Sequence, residues 1–395
     1  MSIDPIVIVA AKRTPMGGFQ GDLSNLKAGE LGAAAIRAAV AQSGIAAGDI
    51  DEVLMGCVLP AGQGQAPARQ AALGAGLPES VPCTTLNKMC GSGMKTVMAG
   101  YDSLHARPGD IIVAGGMESM TNAPYLLPRV REGLRLGHGK VMDHMFLDGL
   151  EDAYEPGKLM GSYAEDTAEH YQFTREGQDA YAIESLRRAK AAGDDGSFSD
   201  EITPLEIKTR KAEIRIVKDE QPDKGNPEKI PQLRPAFREG GTVTAANSSS
   251  ISDGGAALVL MRLSEAERRG LQPLAKIAGA TSHAQAPAWF TTAPIKAIKK
   301  LYEQTGWTGS DVDLYEINEA FAVVAMAAMR DLDLPHDIVN VHGGACALGH
   351  PIGASGARII VTLLHAMQKN DLKKGIASLC IGGGEATAIG IERFV

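Results

Sequence analysis

The sequence predicts an α/β fold made of two similar halves, with a long loop-rich segment inserted between them. Three observations carry this prediction. Apolar strand-like runs alternate with alanine-rich helical stretches from end to end, which favours largely parallel strands. Three short matches recur in the same order, offset by 262, 263 and 267 residues. Between the halves, roughly residues 119–247, the texture turns to Met, Pro, Gly and charge, with four prolines between Asp219 and Pro235. At 395 residues the chain exceeds what one simple core accommodates.

The elements follow in order. Residues 5–11 read as a buried strand and 31–42 as an alanine-rich helix. The stretch Asp49-Ile50-Asp51-Glu52-Val53 returns as Asp311-Val312-Asp313-Leu314-Tyr315. Ser92-Gly93-Met94-Lys95 opens a helix, and Ser355-Gly356-Ala357-Arg358 repeats that opening. Asp110-Ile111-Ile112-Val113-Ala114 with Gly115-Gly116 matches Ala377-Ser378-Leu379-Cys380-Ile381 with Gly382-Gly383. In residues 177–192, Ala180, Ile183, Leu186 and Ala189 recur at helical spacing. Residues 254–262 read as a buried strand returning to the first half, and 321–330 as a further helix. The expected division is 1–118 plus 250–268, an insert over 119–249, and 269–395. Long ordered inserts tend to carry binding function.

Composition narrows the functional class. The formal net charge of −8 gives no electrostatic footprint for nucleic acid or an anionic membrane. Five cysteines, an odd and sparse number, fit reduced cytoplasmic thiols better than a disulfide framework. The first fifteen residues do not read as a signal peptide, and no apolar run is long enough to span a bilayer.

Cys90 stands in Asn87-Lys88-Met89-Cys90-Gly91-Ser92-Gly93, a glycine turn opening into a helix. Unpaired N–H groups at a helix start favour a thiolate over a thiol, whose ordinary pKa is about 8.5. Lys88 would push the same way if it faced the sulfur. The same pattern also fits a small buried cysteine. Asn318, in Glu316-Ile317-Asn318-Glu319-Ala320-Phe321, sits where a strand gives way to a helix, a capping position. His350 lies in a glycine-rich loop between Gly349 and Pro351, where a histidine has little packing role. Cys380 is followed by Gly382, Gly383 and Gly384, which let a ligand approach and free their N–H groups. His342, Cys346 and His350 recur every four residues, but the surrounding glycines and Pro351 argue against a metal-binding helix. Dinucleotide, phosphate-loop and serine-elbow spacings are absent from the sequence.

Taken together, these motifs resemble the thiolase family, in family order and over nearly the whole chain. Gly115-Gly116-Met117-Glu118-Ser119-Met120, Asn122-Ala123-Pro124-Tyr125 and Gly241-Thr242-Val243-Thr244-Ala245-Ala246-Asn247-Ser248-Ser249 belong to the same set. The resemblance implies duplicated βαβαβαββ-type halves in a layered αβαβα core, with the insert binding coenzyme A. It implies reversible condensation of two acetyl-CoA to acetoacetyl-CoA and CoA, or the reverse thiolysis. Cys90 would be the nucleophile, His350 its base, and Cys380 the base that removes an α-proton. Asn318 through a water, with His350, would polarise the enolate oxygen; the N–H groups of Cys90 and Gly382 would hold the tetrahedral oxyanion. Met160, Phe237, Ser249, Ala320 and Phe321 would contact CoA, with Arg210, Lys211, Lys224 and Lys229 as candidate phosphate partners. No bound cofactor, metal, nucleic acid or membrane is implied, and the assembly would be a homotetramer. The reactive second cysteine argues against a decarboxylating 3-ketoacyl synthase, and the three reactive side chains against a non-catalytic acyl-CoA binder. The chain departs from the short-chain pattern at Leu159, usually His, at His342, commonly Asn, at Glu385, commonly Gln, and over residues 283–294.

Overall fold

A computed structural model describes residues 4–208 and 213–394. The first half contributes β1 (Ile6–Arg13), β2 (Glu52–Gly56), β3 (Cys83–Leu86), β4 (Ile112–Ser119) and β5 (Ser252–Arg262). The second contributes β6 (Ala275–Ala284), β7 (Leu314–Ile317), β8 (Lys374–Ile381) and β9 (Glu385–Glu392). In the first half β1 pairs with β5 and β5 with β4, both antiparallel, while β4–β2 and β2–β3 are parallel. In the second, β6 pairs with β9 and β9 with β8, both antiparallel, and β8 with β7 in parallel. Val7 and Ile8 of β1 meet Lys276 and Ala275 of β6, which joins the halves into one sheet.

The expectation of largely parallel strands is therefore corrected. Parallel pairing occurs where a helix carries the chain back between neighbouring strands. Each half closes on an antiparallel return. The three-glycine turn after β8 folds β9 straight back, and β5 comes back antiparallel from the insert.

Helices α1 (Ala28–Ser43) and α2 (Pro67–Gly74) cover the outer face of the first half. Two helices, α3 (Ser92–Ala106) and α8 (Ser355–Lys369), fill the space between the halves. Further helices, α6 (Ala293–Thr305) and α7 (Ala322–Leu332), cover the outer face of the second half. Between β4 and β5 run α4 (Met160–Tyr171) and α5 (Arg175–Asp194). Tyr163, Ala164, Ala168 and Tyr181 join that same core, while Leu186, Ala189 and Ala192 of α5 form a smaller cluster with Phe198 and Leu348. The result is five layers, α–β–α–β–α. α8 is buried on all sides from Ser355 to Met367, as a central layer requires.

The duplication is visible in the hydrogen bonds. Asp51 Oδ2 accepts from the Ile111 N–H just ahead of β4, and Asp313 Oδ2 accepts from Lys373 and Lys374 N–H at the start of β8. The central helices start against one another through glycine. A Cβ on Gly93 would lie 2.8 Å from Ala357 N, and one on Gly356 would lie 2.4 Å from Met94 N. This close approach brings two helix N-termini together, and the loops that carry Cys90 and His350 precede them.

Candidate active site

The turn before α3 is strained and braced. Met89 adopts φ 47°, a left-handed conformation uncommon outside glycine. Ser92 Oγ accepts from Lys88 N–H at 2.8 Å and donates to Met89 O at 2.6 Å. Cys90 is thereby held at the helix entrance, with its own N–H and that of Gly382 facing the sulfur.

Those donors do not make a resting thiolate. Burial pushes the Cys90 thiol up to about 11, outweighing the pull of the Gly382 and Cys90 N–H groups, and the Glu118 carboxylate adds to the rise. The expected low-pKa thiolate is thus corrected, because packing against the apolar cluster of Val58, Leu59, Met120, Met145 and Ile352 desolvates the sulfur. Lys88 does not compensate, since its ammonium is engaged by Glu385.

His350 is 5% exposed, with its backbone N–H donating to Ser250 O at 3.1 Å. Its Nδ1 lies 2.6 Å from Ser355 Oγ, whose hydroxyl donates to Pro351 O at 3.0 Å. Assigning the hydroxyl proton to Pro351 O makes Nδ1 the protonated nitrogen and leaves Nε2 its lone pair. Among the described residues Nε2 meets no hydrogen-bond partner. Burial first, and the charge of Arg358 second, bring the imidazole down to about 3, so it is neutral at physiological pH.

Cys380 closes β8 and is fully buried. Burial and then the neighbouring Cys90 hold its thiol well above the ordinary range. Asn318 is corrected as a cap. Helix α7 starts beyond Phe321 with no side-chain cap, and the Asn318 amide turns inward, with Nδ2 3.5 Å from His350 Nδ1.

A cavity of about 330 Å³ brings the predicted residues together. Cys90, His350, Gly382, Met160, Ser249, Ala320 and Phe321 all line it. The end of the insert is tied to this wall, with Ser249 N–H donating to Ala320 O at 2.9 Å. Cys380 and Asn318 are not among the lining residues. Nor is Phe237, whose ring stands edge-on to Phe321, 5.9 Å between centroids. Lys224 is engaged by Glu220, and neither it nor the exposed Lys229 lines the cavity. Arg210 and Lys211 lie outside the described residues. His342, Cys346 and His350 go to different surroundings: His342 packs edge-on to Phe198, Cys346 bonds Glu319, and His350 faces the cavity.

Sequence reasoning missed three buried supports. Ser355 orients the histidine, and Arg358 reaches Asn318. Glu118 accepts from the N–H groups of Val58, Leu59 and Gly353, fastening the His350 loop to the first half. Only position within the motifs hinted at them. The segment 147–154 supplies another wall and carried no such hint.

Known proteins match this chain over nearly its whole length. Residues 6–264 match the family description "Thiolase, N-terminal domain", and residues 271–393 match "Thiolase, C-terminal domain". The chain belongs to the thiolase family. This thiolase is 50% identical over 390 residues to an acetyl-CoA acetyltransferase of Pseudomonas aeruginosa, covering 98% of this chain and 99% of that one. It is also 50% identical over 396 residues to acetyl-CoA acetyltransferase 2 of Arabidopsis thaliana, covering 99% and 98%. Among solved structures, the Acat5 thiolase from Ascaris suum in complex with coenzyme A superposes with a TM-score of 0.93 at 42% identity, over 99% of this chain and 100% of that one. The Bacillus anthracis acetyl-CoA acetyltransferase gives 0.96 at 42% identity, over 99% of each.

Proposed function

We propose that this thiolase is an acetyl-CoA C-acetyltransferase, condensing two acetyl-CoA to acetoacetyl-CoA and CoA and running the reverse thiolysis. The observation that carries the reading is the meeting of Cys90 with an unpartnered His350 Nε2 in one cavity, with the Gly382 N–H at the sulfur. The relatives' names supply the substrate class.

In the first half-reaction the Cys90 sulfur bonds to the thioester carbonyl carbon while His350 Nε2 takes the thiol proton. The N–H groups of Cys90 and Gly382 hold the oxyanion. Collapse breaks the bond to the CoA sulfur, which leaves with the proton returned from His350. In the second half, the Cys380 thiol passes its proton to His350, and the resulting thiolate takes an α-proton from a new acetyl-CoA. The carbanion attacks acetyl-Cys90; the bond from the acyl carbon to Cys90 sulfur breaks, and that sulfur takes the proton back from His350. Asn318, through a water, and His350 polarise the enolate oxygen. Acetylation of Cys90 also removes a neighbour that holds the Cys380 thiol up.

Met160, Ser249, Ala320 and Phe321 contact the CoA thioester in this reading, with Phe237 backing Phe321. Residues 119–249 form one CoA-binding insert between the two halves. The substrates are CoA thioesters, with no bound cofactor. A homotetramer is supported by an apolar arm in the insert, where Tyr125, Leu127, Leu134 and Val141 are exposed and Leu136 is 98% exposed. A cytoplasmic location is supported by five free cysteines; among the described residues no helix is long and apolar enough to cross a membrane.

CoA-dependent loss of 3-ketoacyl-CoA absorbance tests the reading, comparing acetoacetyl-CoA with a medium-chain substrate. Turnover of acetoacetyl-CoA alone supports it. Turnover of both makes the enzyme a broader acyltransferase, and turnover of neither overturns the proposal.

A further inference from the structure

The first turn of α8 reaches both side chains that flank the substrate oxygen. Ser355 and Arg358, three residues apart on one helical face, address His350 and Asn318 respectively. Arg358 is completely buried, and its Nη1 stands 3.5 Å from Glu316 Oε2, itself on a carboxylate 2% exposed. Its Nη2 donates to Asn318 Oδ1 at 3.4 Å, the one side-chain donor to that oxygen among the described residues.

The backbone beneath Asn318 is pinned. Ile317 exchanges N–H and C=O bonds with the Asn340 side chain at 2.8 Å each, and Asn318 N–H donates to Ser378 O at 3.0 Å. What remains undetermined by the backbone is which end of the Asn318 amide faces the site. A guanidinium carries five donors and no acceptor, so it accepts only the oxygen as its neighbour. The amide nitrogen is then left on the His350 side, 3.5 Å from an Nδ1 that carries a proton and cannot accept from it, so its donors stay free for the substrate side.

We propose that Arg358 is a positioning residue for the condensation step, fixing the Asn318 amide with its nitrogen toward the enolate oxygen while touching no substrate itself. Glu316 holds the guanidinium from the other side. This rests on the reading of Asn318 given above. An amide turned by half a rotation would present a carbonyl to a developing negative charge, which removes a donor and adds repulsion. Acylation of Cys90 uses the N–H groups of Cys90 and Gly382 for its oxyanion, and so needs no donor from the Asn318 amide.

A double-mutant cycle on the intact enzyme tests it, using Arg358→Gln, Asn318→Ala and both together, with Arg358→Lys as the conservative variant. Acylation is read as CoA release with the mass of acetylated protein, and condensation as kcat and KM. The expected result for Arg358→Gln is a loss of about tenfold or more in condensation kcat, with acylation within about threefold. Adding Arg358→Gln to Asn318→Ala should cost little further, and Arg358→Lys should restore part of kcat. Equal losses in both half-reactions, or an undiminished loss in the Asn318→Ala background, overturn the proposal. Full condensation in Asn318→Ala alone would instead overturn the role of Asn318 and remove the basis for this one. If Arg358→Gln does not fold, the Lys variant decides by whether its loss is confined to condensation.

Discussion

Lys88 and Glu385 form an ion pair that ties the turn carrying Cys90 to the first residue of β9, just past the glycines that present Gly382. The two residues are 297 positions apart and belong to different halves. Their side chains are 23% and 38% exposed, so the pair is worth no more than about 1 kcal/mol. Lys88→Met and Glu385→Gln should each lower stability by that amount or less, and the loss should shrink in high salt. Neither should move the pH midpoint of Cys90 alkylation, because the ammonium faces Glu385 rather than the sulfur. A midpoint displaced by a full unit in either variant would contradict this.

The protonation states make a prediction about pH. The Cys90 thiol is pushed up to about 11, so the thiolate fraction of the free enzyme increases as pH rises through neutrality. His350 is brought down to about 3, so its Nε2 lone pair is available throughout that range. The acylation kcat/KM should therefore show no acid limb near the ordinary histidine pKa of about 6.5. His350→Ala should lower acylation by about 10²–10⁴-fold. Initial rates at subsaturating acetyl-CoA across neutral pH check both statements. A limb near 6.5 that disappears in His350→Ala would show the histidine titrating normally.

Cys380 is separable from Cys90 by chemistry. Acylation of Cys90 uses His350 as base and the N–H groups of Cys90 and Gly382, so it does not require the Cys380 thiol. Cys380→Ser should leave the acetyl-enzyme forming at close to the wild-type rate and lose at least about 10²-fold in condensation. Intact-protein mass after acetyl-CoA treatment reports the first, and acetoacetyl-CoA formation the second. Wild-type condensation in this variant would remove Cys380 as the base.

Much of this site was legible in the sequence, and what was not has a common cause. The repeated Ser92 and Ser355 openings located both central helices, and the glycine turns located Cys90 and Gly382. Those are local signals, carried by neighbouring residues. The Cys90 protonation state was misread because the residues that desolvate it, Val58, Met120, Met145 and Ile352 among them, are distant along the chain, which local sequence does not display. Asn318 looked like a helix cap for the same reason, since the groups beside its amide, His350 and Arg358, lie 32 and 40 residues away. The antiparallel returns were missed because alternation of strand and helix reports connection, whereas strand direction depends on which neighbours pair.

The glycines after Cys380 are not equivalent, and this corrects the expectation that they act alike as an open approach. A Cβ on Gly382 would meet only Met160 Sδ, at 3.6 Å, and its φ is not in the left-handed region. Gly384 has φ 90°, and a Cβ there would come 2.3 Å from Gln285 O. Gly382→Ala keeps the N–H and its methyl clashes with no protein atom, so it should retain activity within about threefold. Gly384→Ala should destabilise the protein by about 1–3 kcal/mol from backbone strain, with the steric clash adding to it. Gly382→Pro removes the donor itself and should cost roughly 3 kcal/mol of transition-state stabilisation in acylation, about 10²-fold in rate. Thermal melts and acylation rates for the three variants distinguish these effects. If Gly382→Ala lost as much acylation as Gly382→Pro, the side-chain space, not the N–H, would be what the position supplies.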